Sequence, residues 1–146
     1  MKDASAENGK EPIGVCIILL NKDGKVLLGE RLNSYKQGLY GLPGGRIMLN
    51  ETIKQTAKRE AHEEVGIEFK DFIYVGVVRE LQETYNFVHF GVVVKDVSET
   101  PKNMEPDKCK GWEWFAIDEL PKKILPGHKA LIEMYTTDGP KLVDLV

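Results

Sequence analysis

The sequence predicts an α/β protein in which a mixed β-sheet carries helices on both faces. Three observations predict it. The run Ile13 to Leu20 is apolar and rich in β-branched residues, as in a strand buried on both sides. Glu51 to Val65 contains neither Gly nor Pro and sets Ile53, Ala57, Ala61 and Val65 on one helical stripe, suited to packing on a sheet. The segments then run strands, helix, strands, helix, which does not fit a regular βαβ alternation.

At 146 residues the chain has room for one domain with a real core. Residues 1–12 are polar and aperiodic and read as a flexible tail, leaving 13–146 as the domain. The net charge of −3 gives no support for a nucleic-acid polymer or an anionic membrane as partner, whereas a small anionic ligand is compatible with it. The longest apolar run, Val15 to Leu20, is far short of a membrane span, and no signal-peptide cleavage pattern precedes it. Cys16 and Cys109 lie far apart without metal-ligand spacing, so a reducing, cytoplasmic setting is expected. A homodimer is left open.

The elements follow in order. Asn21-Lys22-Asp23-Gly24 is a tight turn that returns Lys25 to Gly29 as the hairpin partner of the first strand. Glu30 to Gln37 is polar and reads as a surface loop ended by Gly38, from which Arg31 can reach a phosphate or a base. Leu39 to Gly45 alternates large and small residues, and Gly44 and Gly45 allow close backbone approach. The helix follows, with Gly66 as its left-handed stop.

Ile67 to Phe69 and Ile73 to Glu80 are strand-like, Gln82 to Asn86 is a polar turn, and Phe87 to Val94 is a long returning strand in which His89 reads as a structural histidine. Asp96 to Lys108, with Pro101 and Pro106, is a polar connection expected to form an ordered loop over the site. Gly111 to Phe115 reads as an edge or half-buried strand, Asp118 to Pro121 as the start of a short turn or helix, and Gly127 to Thr137 as a second helix. Tyr40, Trp112 and Trp114 are candidate stacking partners for a base, although aromatic residues in strands are more often core.

The first helix carries the chemistry. Glu60 and Glu64, four apart, fall on the Ile53 and Ala57 side of the stripe, and Glu63 flanks them. Two such charges about 6 Å apart repel by about 3 kcal/mol at an effective dielectric near 20. They also crowd the negative end of the helix dipole. An all-oxygen cluster of this kind suits a hard divalent cation, whereas zinc would call for His and Cys.

Gly45, five residues, Glu51, seven residues, Arg59-Glu60, then Ala61-His62-Glu63-Glu64-Val65-Gly66-Ile67 resembles the complete signature of the Nudix (MutT-like) hydrolases. The resemblance implies an α/β/α sandwich around a mixed sheet and cleavage of a pyrophosphate linkage in a nucleotide with Mg²⁺, for which Mn²⁺ can substitute. Glu60, Glu63 and Glu64 would bind metal together with the carbonyl of Gly44. Arg59 would orient these glutamates, and Glu51 would support Arg59 or the loop. Arg31, Tyr40, Gly45 and Glu105 would contact the substrate; Tyr40 stands where the family usually has tryptophan. The general base would be Glu60, Glu83 or Glu105.

Two subfamily echoes differ on the substrate. Glu99 to Trp114 is similar to a stretch of small nucleoside-triphosphate pyrophosphatases acting on normal or oxidised nucleotides, which would yield a monophosphate and pyrophosphate. Lys36-Gln37-Gly38, Gly45-Arg46-Ile47 and Asn50-Glu51 resemble the GDP-mannose hydrolases, Asn50 standing where most of the family has Gly. That branch usually lacks one of the paired acids kept here, which favours the triphosphate. A third reading, from another class, is a non-catalytic nucleotide-binding Nudix module.

Overall fold

In the computed structural model, the described residues are 11–32, 37–81 and 86–146. They form β1 (Ile13–Asn21), β2 (Val26–Arg31), β3 (Tyr40–Gly41), β4 (Gly44–Arg46), α1 (Ile53–Val65), β5 (Ile73–Leu81), β6 (Asn86–Val97), β7 (Cys109–Phe115), α2 (Pro126–Thr136) and β8 (Leu142–Leu145). The strands join one mixed sheet in the order β3-β2-β1-β6-β5-β8, with β4 added beside β1 and β7 beside β2. No helix among the described residues is long and apolar enough to cross a membrane.

β1 is the axis. It runs parallel to β6 along almost its whole length, from Ile13 opposite Val88 to Asn21 opposite Val97. Successive side chains of a strand point to opposite faces. Val15, Ile17 and Leu19 therefore join Ala57, Ala61 and Val65 of α1, while Cys16, Ile18 and Leu20 join Leu131, Ile132 and Met134 of α2. A two-sided core is why this run is apolar at every position rather than at every second one.

The other edge of β1 is divided. Val15 and Cys16 pair with Gly45 and Gly44 of β4, whereas Leu20 pairs with Val26 of β2. The expected turn is present: Asn21 Oδ1 accepts the N–H groups of Asp23 and Lys25 at 3.0 and 2.9 Å, and Gly24 takes a φ of 76°. Beyond it the expected hairpin peels apart, because β2 turns away to pair with β7 from Val26 opposite Phe115 to Arg31 opposite Cys109. The fork between β2 and β4 opens the cleft described below.

α1 begins two residues later than its periodicity suggests, because Thr52 caps it. The Thr52 hydroxyl accepts Gln55 N–H, and the Gln55 side chain accepts Thr52 N–H in return. Gly66 ends the helix at φ 68° as expected. Ile67 to Phe69 is not a strand, since Ile67 N–H bonds back to Ala61 O and Ile67 is buried against α1. The loop after β6 closes the same end, with Lys102 and Met104 N–H on the carbonyls of Val65 and Glu64.

β6 runs longer than Phe87 to Val94, and β8, unannounced in the sequence, lies parallel to β5 with Leu142 opposite Val77. Four residues carry too little pattern to declare a strand; the open edge of β5 makes it one. Residues 82–85 of the expected turn, Glu83 among them, lie outside the described residues.

Glu11 and Pro12, which the sequence places in the tail, are tied to the sheet. Pro12 O accepts Val88 N–H at 2.9 Å, and the Glu11 carboxylate grips Arg79 and accepts Asn86 Nδ2 at 3.0 Å. The Arg79 bonds hold the Glu11 carboxyl down at about 2, below its ordinary value. A depressed carboxylate stabilises the fold above its unfolded value and loses that contribution as pH falls through the folded one. Glu11→Gln is thus expected to lower Tm at pH 7. The gap to wild type should close as pH falls from about 4.5 toward about 2, as measured by thermal melts across that range.

Candidate active site

The fork in the sheet leaves a cleft of about 480 Å³. One wall is α1 and the glycine strip: Glu60, Glu64, Gly44 and Gly45. The other is β2 and β7: Gly29, Arg31, Cys109 and Trp112. Glu105 and Lys108 come from the loop between β6 and β7.

Glu60 and Glu64 face the cleft because four residues of helix return to nearly the same angle. Glu64 Oε1 accepts the Gly44 N–H at 2.9 Å. Gly45 lies so close that a Cβ there would sit 2.3 Å from Glu60 Oε1, so its bare backbone makes room for that carboxylate. The Glu64 carboxyl is raised well above the usual carboxylate range, first by burial and then by the Glu60 carboxyl bonded to it, with Gly44 N–H opposing.

Arg59 stands behind the pair. Its Nε and Nη2 take both oxygens of Glu51 at 2.7 and 2.9 Å, Nη1 donates to Glu60 Oε1 at 2.6 Å, and Nη2 also reaches Arg46 O at 3.0 Å. Glu51 in turn accepts Met48 N–H and the Thr56 hydroxyl, and Arg59 together with Met48 holds its carboxyl down at about 2. One arginine thereby ties the loop, the helix and a cleft carboxylate together, as expected of Arg59 and Glu51.

Two of the expected site residues are not brought into the cleft lining. Glu63 is not in the cleft lining: it lies about 100° round the helix from Glu64, and its exposed side chain reaches Arg59 Nη1 at 3.4 Å. Tyr40 does not line the cleft either. Its ring packs edge-on against Phe115 at 5.4 Å, on the α2 side of the sheet. Arg31, Gly44, Gly45, Glu60, Glu64 and Glu105 do come together. Sequence reasoning missed Lys108 and Cys109 and placed Trp112 only as a core or stacking residue; all three reach the cleft through the long-range pairing of β7 with β2.

On the opposite face of the sheet, His89 Nε2 bonds to Glu80 at 3.0 Å and its Nδ1 lies 3.7 Å from Cys16 Sγ, which makes it the structural histidine expected. Neighbouring His128 is buried and held neutral, well below its ordinary value, because burial disfavours the imidazolium. Its Nδ1 accepts the Leu42 N–H at 2.8 Å and so fixes the strip that runs on to Gly44. An Asn side chain places its oxygen where Nδ1 stands, whereas Gln reaches toward Nε2. His128→Asn should retain most turnover, and His128→Gln should lose about tenfold in kcat/KM, the worth of one buried hydrogen bond.

Residues 10–135 match the NUDIX domain family. The chain belongs to that family. Among curated relatives, this Nudix domain is 30% identical over 118 residues to an ADP-ribose pyrophosphatase of Methanocaldococcus jannaschii, covering 80% of this chain and 69% of that one. It is 25% identical over 131 residues to an RNA pyrophosphohydrolase of Erythrobacter litoralis, covering 75% and 79%. Against an NAD-capped RNA hydrolase NudC of Pectobacterium atrosepticum it is 28% identical but spans only 44% of that protein. In structure it resembles a MutT NUDIX hydrolase from Burkholderia pseudomallei, with TM-score 0.79, 27% identity and 86% and 98% of the two chains covered. The α/β/α architecture is therefore the family's, and the chain is a Nudix hydrolase.

Proposed function

We propose that this Nudix hydrolase cleaves the pyrophosphate linkage of a nucleoside triphosphate, normal or oxidised, to the monophosphate and pyrophosphate in a Mg²⁺-dependent reaction. The observation that carries the reading is the convergence of Glu60 and Glu64 on the bare Gly44-Gly45 backbone inside a cleft. This donor set is all oxygen, as a hard divalent cation requires. Glu60, Glu64 and the backbone of Gly44 would hold the ion. Bound there, it would neutralise phosphate charge and acidify a water.

The chain's own residues do the positioning. Arg59, braced by Glu51, keeps Glu60 aimed at the cleft, and the Gly44 N–H keeps Glu64 aimed there. Arg31 and Lys108 bring positive charge to the substrate side. Of the candidate bases, Glu60 is occupied by Arg59. Glu105 faces the cleft held by an exposed lysine, Lys108, at 3.3 Å, which favours Glu105 as the group that takes a proton from water.

The stretch Glu99 to Trp114, which resembles the triphosphate pyrophosphatases, supplies Glu105, Lys108, Cys109 and Trp112 to the cleft. The rival echo is weakened: Asn50 sits at φ 65°, a left-handed position that Gly fills best and Asn next best, so backbone conformation alone accounts for it. Relatives named for RNA and ADP-ribose place those molecules in the test as well. The deciding assay offers nucleoside triphosphates, oxidised nucleotides, GDP-mannose, ADP-ribose and 5′-triphosphorylated RNA with Mg²⁺ and resolves the products. Pyrophosphate from a triphosphate is expected. Free mannose without pyrophosphate would move the assignment to the nucleotide-sugar reading, and no turnover of any substrate to a binding module.

A further inference from the structure

Among the described residues, two buried donors have no hydrogen-bond partner, Arg31 Nε and Trp112 Nε1. Both residues line the cleft. Buried polar groups are paired in the great majority of native structures, so two orphans in one cleft ask for a cause. Each is a donor and never an acceptor, and what satisfies them must bring acceptor atoms.

Their placement is built into the sheet. β2 and β7 pair antiparallel with Gly29 opposite Trp112 and Arg31 opposite Cys109, the register shifting between the two pairs, and Gly29, Arg31, Cys109 and Trp112 all line the cleft. A Cβ on Gly29 would lie 2.8 Å from Trp112 Cε3, so the indole is seated on bare backbone. Across the cleft stand Glu60 and Glu64, acceptors that need a cation between themselves and any phosphate. The α1 side is thus an acceptor wall, and the β2 and β7 side carries the two donors beside the carboxylate of Glu30. A pyrophosphate group carries more oxygens than a cation held by the acceptor wall can engage, and the remainder face the donors.

We propose that Trp112 Nε1–H and Arg31 Nε–H bind phosphoryl oxygens of the substrate on the side turned away from Glu60 and Glu64. Trp112 is then a hydrogen-bond donor to phosphate and not a stacking platform for the base. This rests on the pyrophosphate-hydrolase reading and deepens it: the contact is blind to the nucleobase, so its loss weakens every nucleotide substrate alike.

Trp112→Phe keeps an aromatic ring over Gly29 and removes the N–H; Arg31→Lys keeps the charge and removes the Nε–H. Each is expected to weaken binding of inorganic pyrophosphate, titrated calorimetrically with Mg²⁺ present, by about tenfold. Each should also lower kcat/KM by about the same factor for purine and pyrimidine triphosphates. Should Trp112→Phe melt early, Arg31→Lys carries the test. Variants that match an active wild type in pyrophosphate affinity and kcat/KM overturn the proposal alone. A loss confined to one base also overturns it, because the donor would then read the base. A wild type that neither binds pyrophosphate nor turns over nucleotides overturns the hydrolase reading as well.

Discussion

Glu64→Gln is expected to abolish Mg²⁺-dependent turnover, by about a thousandfold or more, and to leave the fold standing. Glutamine keeps the shape of the side chain. Its carbonyl oxygen can still accept the Gly44 N–H that Glu64 Oε1 accepts at 2.9 Å, and its amide can donate to Glu60. What disappears is the ability to ionise onto a cation, in a group whose negative charge is disfavoured first by burial and then by the Glu60 and Glu105 carboxylates. In a chelating buffer the variant should therefore melt no earlier than wild type, while magnesium should stabilise wild type and not the variant. Thermal melts with and without magnesium, set beside kcat on the best substrate, check both halves. Unchanged activity with magnesium would refute Glu64 as a ligand.

Gly45→Ala should separate site geometry from stability. The new Cβ would lie 2.3 Å from Glu60 Oε1 and 2.4 Å from Glu60 Cδ, the free end of a side chain that can swing away. The Val15 to Gly45 pairing of β1 with β4 is retained, so the loss of Tm should be modest. The displaced carboxylate should cost about a hundredfold in kcat, as expected of a group moved by about 1 Å from its working position. Gly44→Ala is the informative contrast. Its Cβ would sit 2.0 Å from the Val15 carbonyl oxygen, which is backbone and cannot give, and that variant should be destabilised outright. Melting curves and magnesium titrations of the two alanine variants decide it; equal activity of Gly45→Ala and wild type would remove Glu60 from the site.

Residues close in sequence were legible wherever one local rule governed them. The stop at Gly66, the turn after Asn21, the two-sided burial of β1 and the shared face of Glu60 and Glu64 all follow from a period or a preferred dihedral. Glu63, expected to flank the pair, is turned away from it by the same period and reaches toward Arg59. Tyr40 was misplaced because an aromatic residue beside a glycine turn does not declare which face of the sheet receives its ring.

The sequence by itself determined the sheet with helices on both faces, the helix that carries the acids and the pair of carboxylates suited to a divalent cation. Tertiary structure alone decided the rest. It set β7 against β2, brought Lys108, Cys109 and Trp112 opposite those acids, made a strand of Leu142 to Leu145 and placed His128 behind Leu42. The physical reason is separation along the chain. Periodicity and capping act over a few residues and leave their mark in order, whereas strand pairings across tens of residues depend on which edges the folded core leaves open.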